Sequence, residues 1–233
     1  GTVIPTAFSP HRFSLVDRGF AWAIAHVRGG AAQGYHWYFD GKLEHKPNTF
    51  SDFIATAEHL CDVGISKPGN IAALGRSAGG MLMGAVANMR PDLFRAIAAE
   101  VPFVDVLNTM CDDSLPLTPP EWTEWGNPLE DPTAYSRMKA YSPYENIAAQ
   151  AYPHILATGG ISDPRVTYWE PAKWVARLRA RSTSSAAMLL LWINMQAGHA
   201  GASGRYEQLD EYALTFAFFL KAFDMVPHTR AED

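Results

Sequence analysis

Five short, almost wholly apolar runs punctuate the chain: "FAWAIAHV" (20–27), "NIAALG" (70–75), "AIAAEV" (96–101), "HILATGG" (154–160) and "MLLLWIN" (188–194). Runs of this length without polar alternation suit strands buried on both faces, as in a parallel sheet covered by helices. Amphipathic stretches of helical period lie between them, at 49–63, 79–89, 170–181 and 206–223. Asn48 or Thr49 is placed to cap the first. Alternating strand and helix predicts an α/β fold, a mainly parallel sheet with helices on both faces. The interval 105–150 is rich in Pro, acidic and aromatic residues and lacks a clean period. It is expected to lay loops and short helices over one end of the sheet, where a long excursion shapes a substrate site. With 233 residues, 48% of them hydrophobic, one substantial core is affordable, and no repeat or second-domain boundary is visible.

The net charge of −5 provides no basic field, so neither nucleic acid nor an anionic membrane surface is an expected partner. A small or peptidic substrate fits better. Two cysteines, Cys61 and Cys111, are too few for a disulfide framework and read as buried free thiols. No apolar stretch approaches the roughly 18 residues of a membrane span and no signal peptide is visible, so a cytoplasmic location is expected.

The run 70–75 passes into the helical stretch 79–89 through "GRSAG", which fits the G-x-S-x-G nucleophile elbow between a strand and a helix. Side chains at Gly75 or Gly79 are expected to collide with the adjacent strand and helix. The competing reading is a small polar residue at a strand end. As a nucleophile Ser77 needs an imidazole to take its proton and a carboxylate to orient that imidazole, in the chain order Ser, acid, His on this fold. Three histidines follow Ser77: His154 opens a strand, His228 lies in the polar tail, and His199 sits in the glycine-rich "MQAGHAGASGRY" between the last strand and last helix. His199 is therefore the expected base. Asp163, in "ILATGGISDPRV", directly follows a strong apolar strand and so stands at the carboxyl edge of the sheet, where ligands bind in open α/β folds. It is the expected acid, against an Asx-Pro turn, with Asp105 as the alternative acid. No metal or cofactor is expected.

The blocks "RGFAWAIAHVRGG", "WYFDGKLEHKPNTFSDFI", "GRSAGG", "NMRPDLF", "VPFVDVLNTM", "EWGNP", "SPYENI", "SDPRVTYWEPAKWVARLR" and "GHAGASGRY" resemble, in order and spacing, the catalytic domain of prolyl-oligopeptidase-type serine peptidases, in the oligopeptidase B branch. The resemblance implies an α/β-hydrolase fold, cleavage of short peptides after Arg or Lys, and a triad of Ser77, Asp163 and His199. It further implies that Glu121 pairs with the substrate's basic side chain, which a carboxylate can hold by two charge-assisted hydrogen bonds. Arg165 matches a position that contacts the substrate backbone carbonyl.

The chain departs from the family pattern at several positions. Thr123 stands where a second acid is common, Pro5 and Ala7 where two aspartates favour a second basic residue, and Ala31 and Ala32 where "RGGGE" is usual. The family places a β-propeller and further strands ahead of this region, with a tyrosine that donates to the oxyanion. Gly1 matches the last glycine of that tyrosine's motif, so N-terminal strands are expected to be missing. The remaining oxyanion donor is the Ala78 N–H. An exposed sheet edge would make the chain alone aggregation-prone or homo-oligomeric. Two other functions compete: an esterase for small esters, and a non-catalytic fragment that needs an N-terminal partner segment.

Overall fold

The computed structural model describes residues 8–225, so Gly1, Pro5, Ala7 and His228 lie outside the described residues. Four of the five apolar runs form strands: β1 (Ile71–Arg76), β2 (Phe94–Glu100), β3 (His154–Gly160) and β4 (Leu189–Asn194). All three pairings are parallel, in the order β1-β2-β3-β4. Parallel neighbours require crossovers, and helices supply them. Along the chain the helices are α1 (Phe13–Val16), α2 (Tyr35–Phe39), α3 (Pro47–Asp62), α4 (Ala78–Met89), α5 (Val106–Met110), α6 (Thr118–Trp125), α7 (Pro132–Tyr141), α8 (Trp169–Arg181) and α9 (Arg205–Ala222).

Strand geometry divides the core in two, because successive side chains point to opposite faces. Ile97, Ala99, Ile155 and Ala157 join a large cluster with residues of α3, α4, α8 and the 105–150 excursion. Their immediate neighbours Ala96, Ala98 and Leu156 join a second cluster with Leu15 of α1 and Phe216, Phe219 and Ala222 of α9. Helices therefore cover both faces of the sheet. The excursion folds as expected into short helices, α5 to α7.

Three expectations are corrected. Residues 20–27 form no strand; among the described residues the segment has no sheet partner, and the backbone nearby makes one isolated bridge, between Arg28 and Gly30. Phe20 and Trp22 pack against the α9 cluster, and Val27 against the other. The run is only partly buried, with Ala21, Ala23, Ile24 and His26 exposed, so its apolarity foretold neither pairing nor full burial among the described residues. Helix α3 begins at Pro47 with Lys46 as its cap and no side-chain capping bond. Pro suits that first position because its missing N–H would be unpaired anyway. Thr49 instead donates its hydroxyl to Arg28 O at 2.7 Å, and Asn48 donates to Asp40 O at 2.8 Å. Cys61 and Cys111 are free thiols as expected, but half-buried, at the margin of the core. Among the described residues no helix is long and apolar enough to cross a membrane.

The β1–α4 junction corrects the glycine expectation in part. A Cβ on Gly75 would lie 2.2 Å from Gly79 O, so a side chain there would force the strand and helix apart. A Cβ on Gly79 would meet nothing within 4 Å beyond its own helix, whereas one on Gly80 would lie 2.6 Å from Pro102 Cα. The close approach falls one residue later than the motif suggests. Gly75→Ala is therefore expected to lower stability by about 1–3 kcal/mol through overpacking. Gly79→Ala should be neutral or stabilising by up to about 1 kcal/mol through helix propensity. Thermal unfolding of the two variants checks the contrast.

Candidate active site

Ser77 stands between β1 and α4 with φ 55° and ψ −117°, a conformation that side chains other than glycine rarely adopt. Three backbone hydrogen bonds hold it there. Ser77 N–H donates to Glu100 O at 2.8 Å, and its own carbonyl accepts from Met81 N at 3.1 Å and Phe103 N at 3.2 Å. Ala78 is the first residue of α4, so its N–H has no intrahelical acceptor and lies at the positive end of the helix dipole. Ser77 and Ala78 both line a cleft, as an exposed hydroxyl and an oxyanion donor require.

Asp163 lies just beyond β3. One carboxylate oxygen accepts the N–H groups of Arg165 at 2.8 Å and Val166 at 3.0 Å, and the other meets His199 Nδ1 at 2.8 Å. Its side chain is 0% exposed. The Asx turn at Asp163–Pro164 uses one carboxylate oxygen and leaves the other for the contact with His199. His199 follows β4 on a turn closed by Gly201 N donating to Gly198 O, with Gly201 at φ 81°. That turn is tied on two sides. Arg76 donates to His199 O, and Glu211 of α9 accepts from Ala202 N at 3.1 Å and Asn194 Nδ2 at 2.9 Å. Among the described residues no hydrogen bond joins Ser77 Oγ to His199; such contacts are often open without substrate.

The other candidates separate. His154 Nδ1 accepts from Met188 N at 3.0 Å between β3 and β4. Burial, with Arg95 nearby, depresses its basicity. Asp105 is buried and committed to an ion pair with Lys173 and a hydrogen bond from Asn108. Glu121 and Arg165 line the same cleft as Ser77. One oxygen of Glu121 accepts from Trp125 Nε1 at 2.8 Å. Thr123 is exposed and bonded to its own helix. Among the described residues no group of three or more His, Cys, Asp or Glu side chains could hold a metal ion.

Two charged residues escaped the sequence reading. Lys46 is 3% exposed, with Nζ 4.7 Å from the centre of the Trp125 ring, and burial lowers its ammonium to about 8. Glu170 on α8 is 0% exposed and lines the cleft; it accepts from Asp105 N at 2.9 Å and Thr109 Oγ1 at 2.8 Å. Burial pushes its carboxyl up to about 8, against these donors. A signal for Glu170 existed: it shares the buried stripe of α8 with Pro171, Trp174, Val175 and Leu178. Nothing comparable marked Lys46.

The model of the prolyl oligopeptidase family matches residues 6–226. The chain belongs to that family. Within it, "Protease 2" of Moraxella lacunata is 53% identical over 213 residues, covering 91% of this chain and 31% of the relative. "Dipeptidyl aminopeptidase BI" of Pseudoxanthomonas mexicana is 48% identical over 220 residues, covering 94% and 30%. The solved structure of oligopeptidase B from Leishmania major superposes with a TM-score of 0.93 at 50% identity, covering 98% of this chain and 32% of that one. The chain thus spans less than a third of the length of these prolyl oligopeptidase relatives, and the α/β-hydrolase fold expected from the sequence holds.

The two buried groups carry opposite pH signatures in this family member. Between about 4.5 and 8 the folded chain keeps a proton on Glu170 that the unfolded chain has released, so rising pH weakens the fold there. Between about 8 and 10.5 the unfolded chain keeps a proton on Lys46 that the folded chain has released, so rising pH strengthens it. Glu170→Gln mimics the neutral acid and removes the first effect. Its thermal midpoint is expected to gain on the wild type from pH 5 to about pH 8 and to level off above that; a constant difference across the range would refute the assignment.

Proposed function

We propose that this chain is the catalytic part of a serine peptidase that cleaves short peptides after Arg or Lys through an acyl-enzyme on Ser77. The observation that carries the reading is the fully buried Asp163 bonded to His199, on loops that flank the strained Ser77 turn. In this mechanism Ser77 Oγ attacks the scissile carbonyl while His199 Nε2 takes its proton. Asp163 keeps the proton on Nδ1 and stabilises the imidazolium. The Ala78 N–H holds the developing oxyanion, helped by the α4 dipole. The tetrahedral intermediate collapses as His199 returns the proton to the leaving amine, and water then repeats the sequence to release the acid.

Specificity falls to Glu121. One of its oxygens is fixed by the Trp125 indole, which leaves the other for a guanidinium or ammonium in the cleft. Arg165, exposed and lining the same cleft, is assigned to the substrate backbone carbonyl. The length of the relatives supports a further domain, a propeller in this reading, that would restrict substrates to short peptides.

A fluorophosphonate is expected to add one label to the wild type and none to Ser77→Ala, read by intact mass. His199→Ala and Asp163→Asn should lower turnover by about 10³-fold or more, and their combined loss should not be additive. Asp105→Asn should do far less, and the reverse order would move the acid. Glu121→Gln should weaken kcat/KM for a substrate with Arg before the scissile bond by about 2–5 kcal/mol, with little change for the isosteric citrulline substrate. Hydrolysis of small esters with no peptide cleavage would favour the esterase reading.

A further inference from the structure

Glu170 is an ionisable group that the proposed mechanism does not use. It lines the cleft that holds Ser77 and Glu121, yet its side chain is wholly buried and its bonded partners, the Asp105 N–H and the Thr109 hydroxyl, carry no charge. A carboxylate in that position is stabilised by dipoles alone and lacks a counter-ion. The charged groups around it do not supply one. Asp105, on the loop after β2, is an anion whose own charge is taken by Lys173 of α8, with Asn108 of α5 bridging to Glu145. The same cleft is also lined by Glu121 of α6 and by the exposed Arg165 of the β3–α8 loop. Lys46, from the start of α3, is held against the Trp125 ring.

We infer that Glu170 is a second, proton-gated acidic element of the substrate pocket, acting through space to favour a cationic side chain when ionised and relaxing that preference when neutral. The inference rests on the reading of this cleft as a pocket for Arg or Lys. The hydrogen bonding suits both states. Ionised, the carboxylate accepts from the Asp105 N–H and the Thr109 hydroxyl. Protonated, it keeps the N–H bond and donates to Thr109 Oγ1, which rotates its hydrogen away. Burial holds the neutral form up to about pH 8, so a modest change of pH interconverts the two states. Binding of a cation close by must then expel the proton, because whatever favours the ionised state of Glu170 is in turn bound more tightly by it.

The test uses the full chain with benzamidine as the charged probe and benzamide as its neutral isostere, both followed by calorimetry from pH 6.5 to 9.5. Benzamidine affinity relative to benzamide is expected to rise about tenfold across the range, the equivalent of a one-unit fall in the Glu170 pKa on binding, with net proton release near pH 8. In Glu170→Gln, whose amide reproduces the neutral acid's bonds, the relative affinity should stay flat. Thr109→Val removes a donor to the carboxylate and should move the midpoint to higher pH. Lys46→Met should leave the rise in place. A wild type with no preference for benzamidine at any pH overturns the basic-pocket reading itself. A preference that rises equally in Glu170→Gln, or that loses its rise in Lys46→Met, keeps the pocket and overturns the role given to Glu170.

Discussion

The turn at Ser77 is the constraint on which the rest of the structure depends. A non-glycine residue at positive φ is strained by about 1–3 kcal/mol and persists only where its surroundings over-determine it. Here the determination comes from three sides: the end of β2 through Glu100 O, the first turn of α4 through Met81, and the loop after β2 through Phe103. The same contacts require backbone to lie against backbone, which explains the absence of a side chain at Gly75 and Gly80. The strain therefore lifts the hydroxyl into the cleft and also clamps β1, β2 and α4 into one unit.

Around that unit, four buried or cleft-facing carboxyl groups are each satisfied differently, and the differences divide their work. Asp163 has two N–H donors and an imidazole, so both of its oxygens are held in place. Asp105 is neutralised by Lys173 and contributes scaffolding. Glu121 lines the cleft with one oxygen fixed by an indole. Glu170 has donors without a cation, which leaves its charge conditional. In the proposed mechanism chemically identical groups thus serve as an orienter, a strut, a recognition element and a titrating group, divided by their neighbours alone.

Much of this was readable from the chain. The runs at 70–75, 96–101, 154–160 and 188–194 became β1 to β4 with no end shifted by more than two residues, because short apolar runs between turn residues have few alternatives to a buried parallel strand. That Asp163 rather than Asp105 stands beside His199 followed from chain order and from its place after a strand. The failures share a cause: they concern contacts between segments distant in sequence. The run 20–27 looks like a strand but has no partner among the described residues, Gly80 and not Gly79 meets Pro102, and Lys46 packs on Trp125 from another helix. Glu121 carried no local mark of its own and needed the family resemblance to be noticed, whereas Glu170 interrupted an apolar stripe and was overlooked.

The parallel pairing of β3 with β4 ends at Gly160 opposite Asn194, and the loops bearing Asp163 and His199 leave from those two ends. Gly160 is also where the His199 turn rests on β3, since a Cβ there would lie 2.5 Å from Ala197 O. One residue more or fewer within β3 would invert its faces and displace the acid by a full strand step of about 3.3 Å. The excursion between β2 and β3, by contrast, reaches the sheet through core side chains such as Leu107, Trp125 and Met138 and not through strand register, so a change in its length shifts no strand face. Lineages of this fold are thereby free to remodel what they recognise through insertions in one segment, while the spacing that aligns acid and base leaves almost no room for length variation.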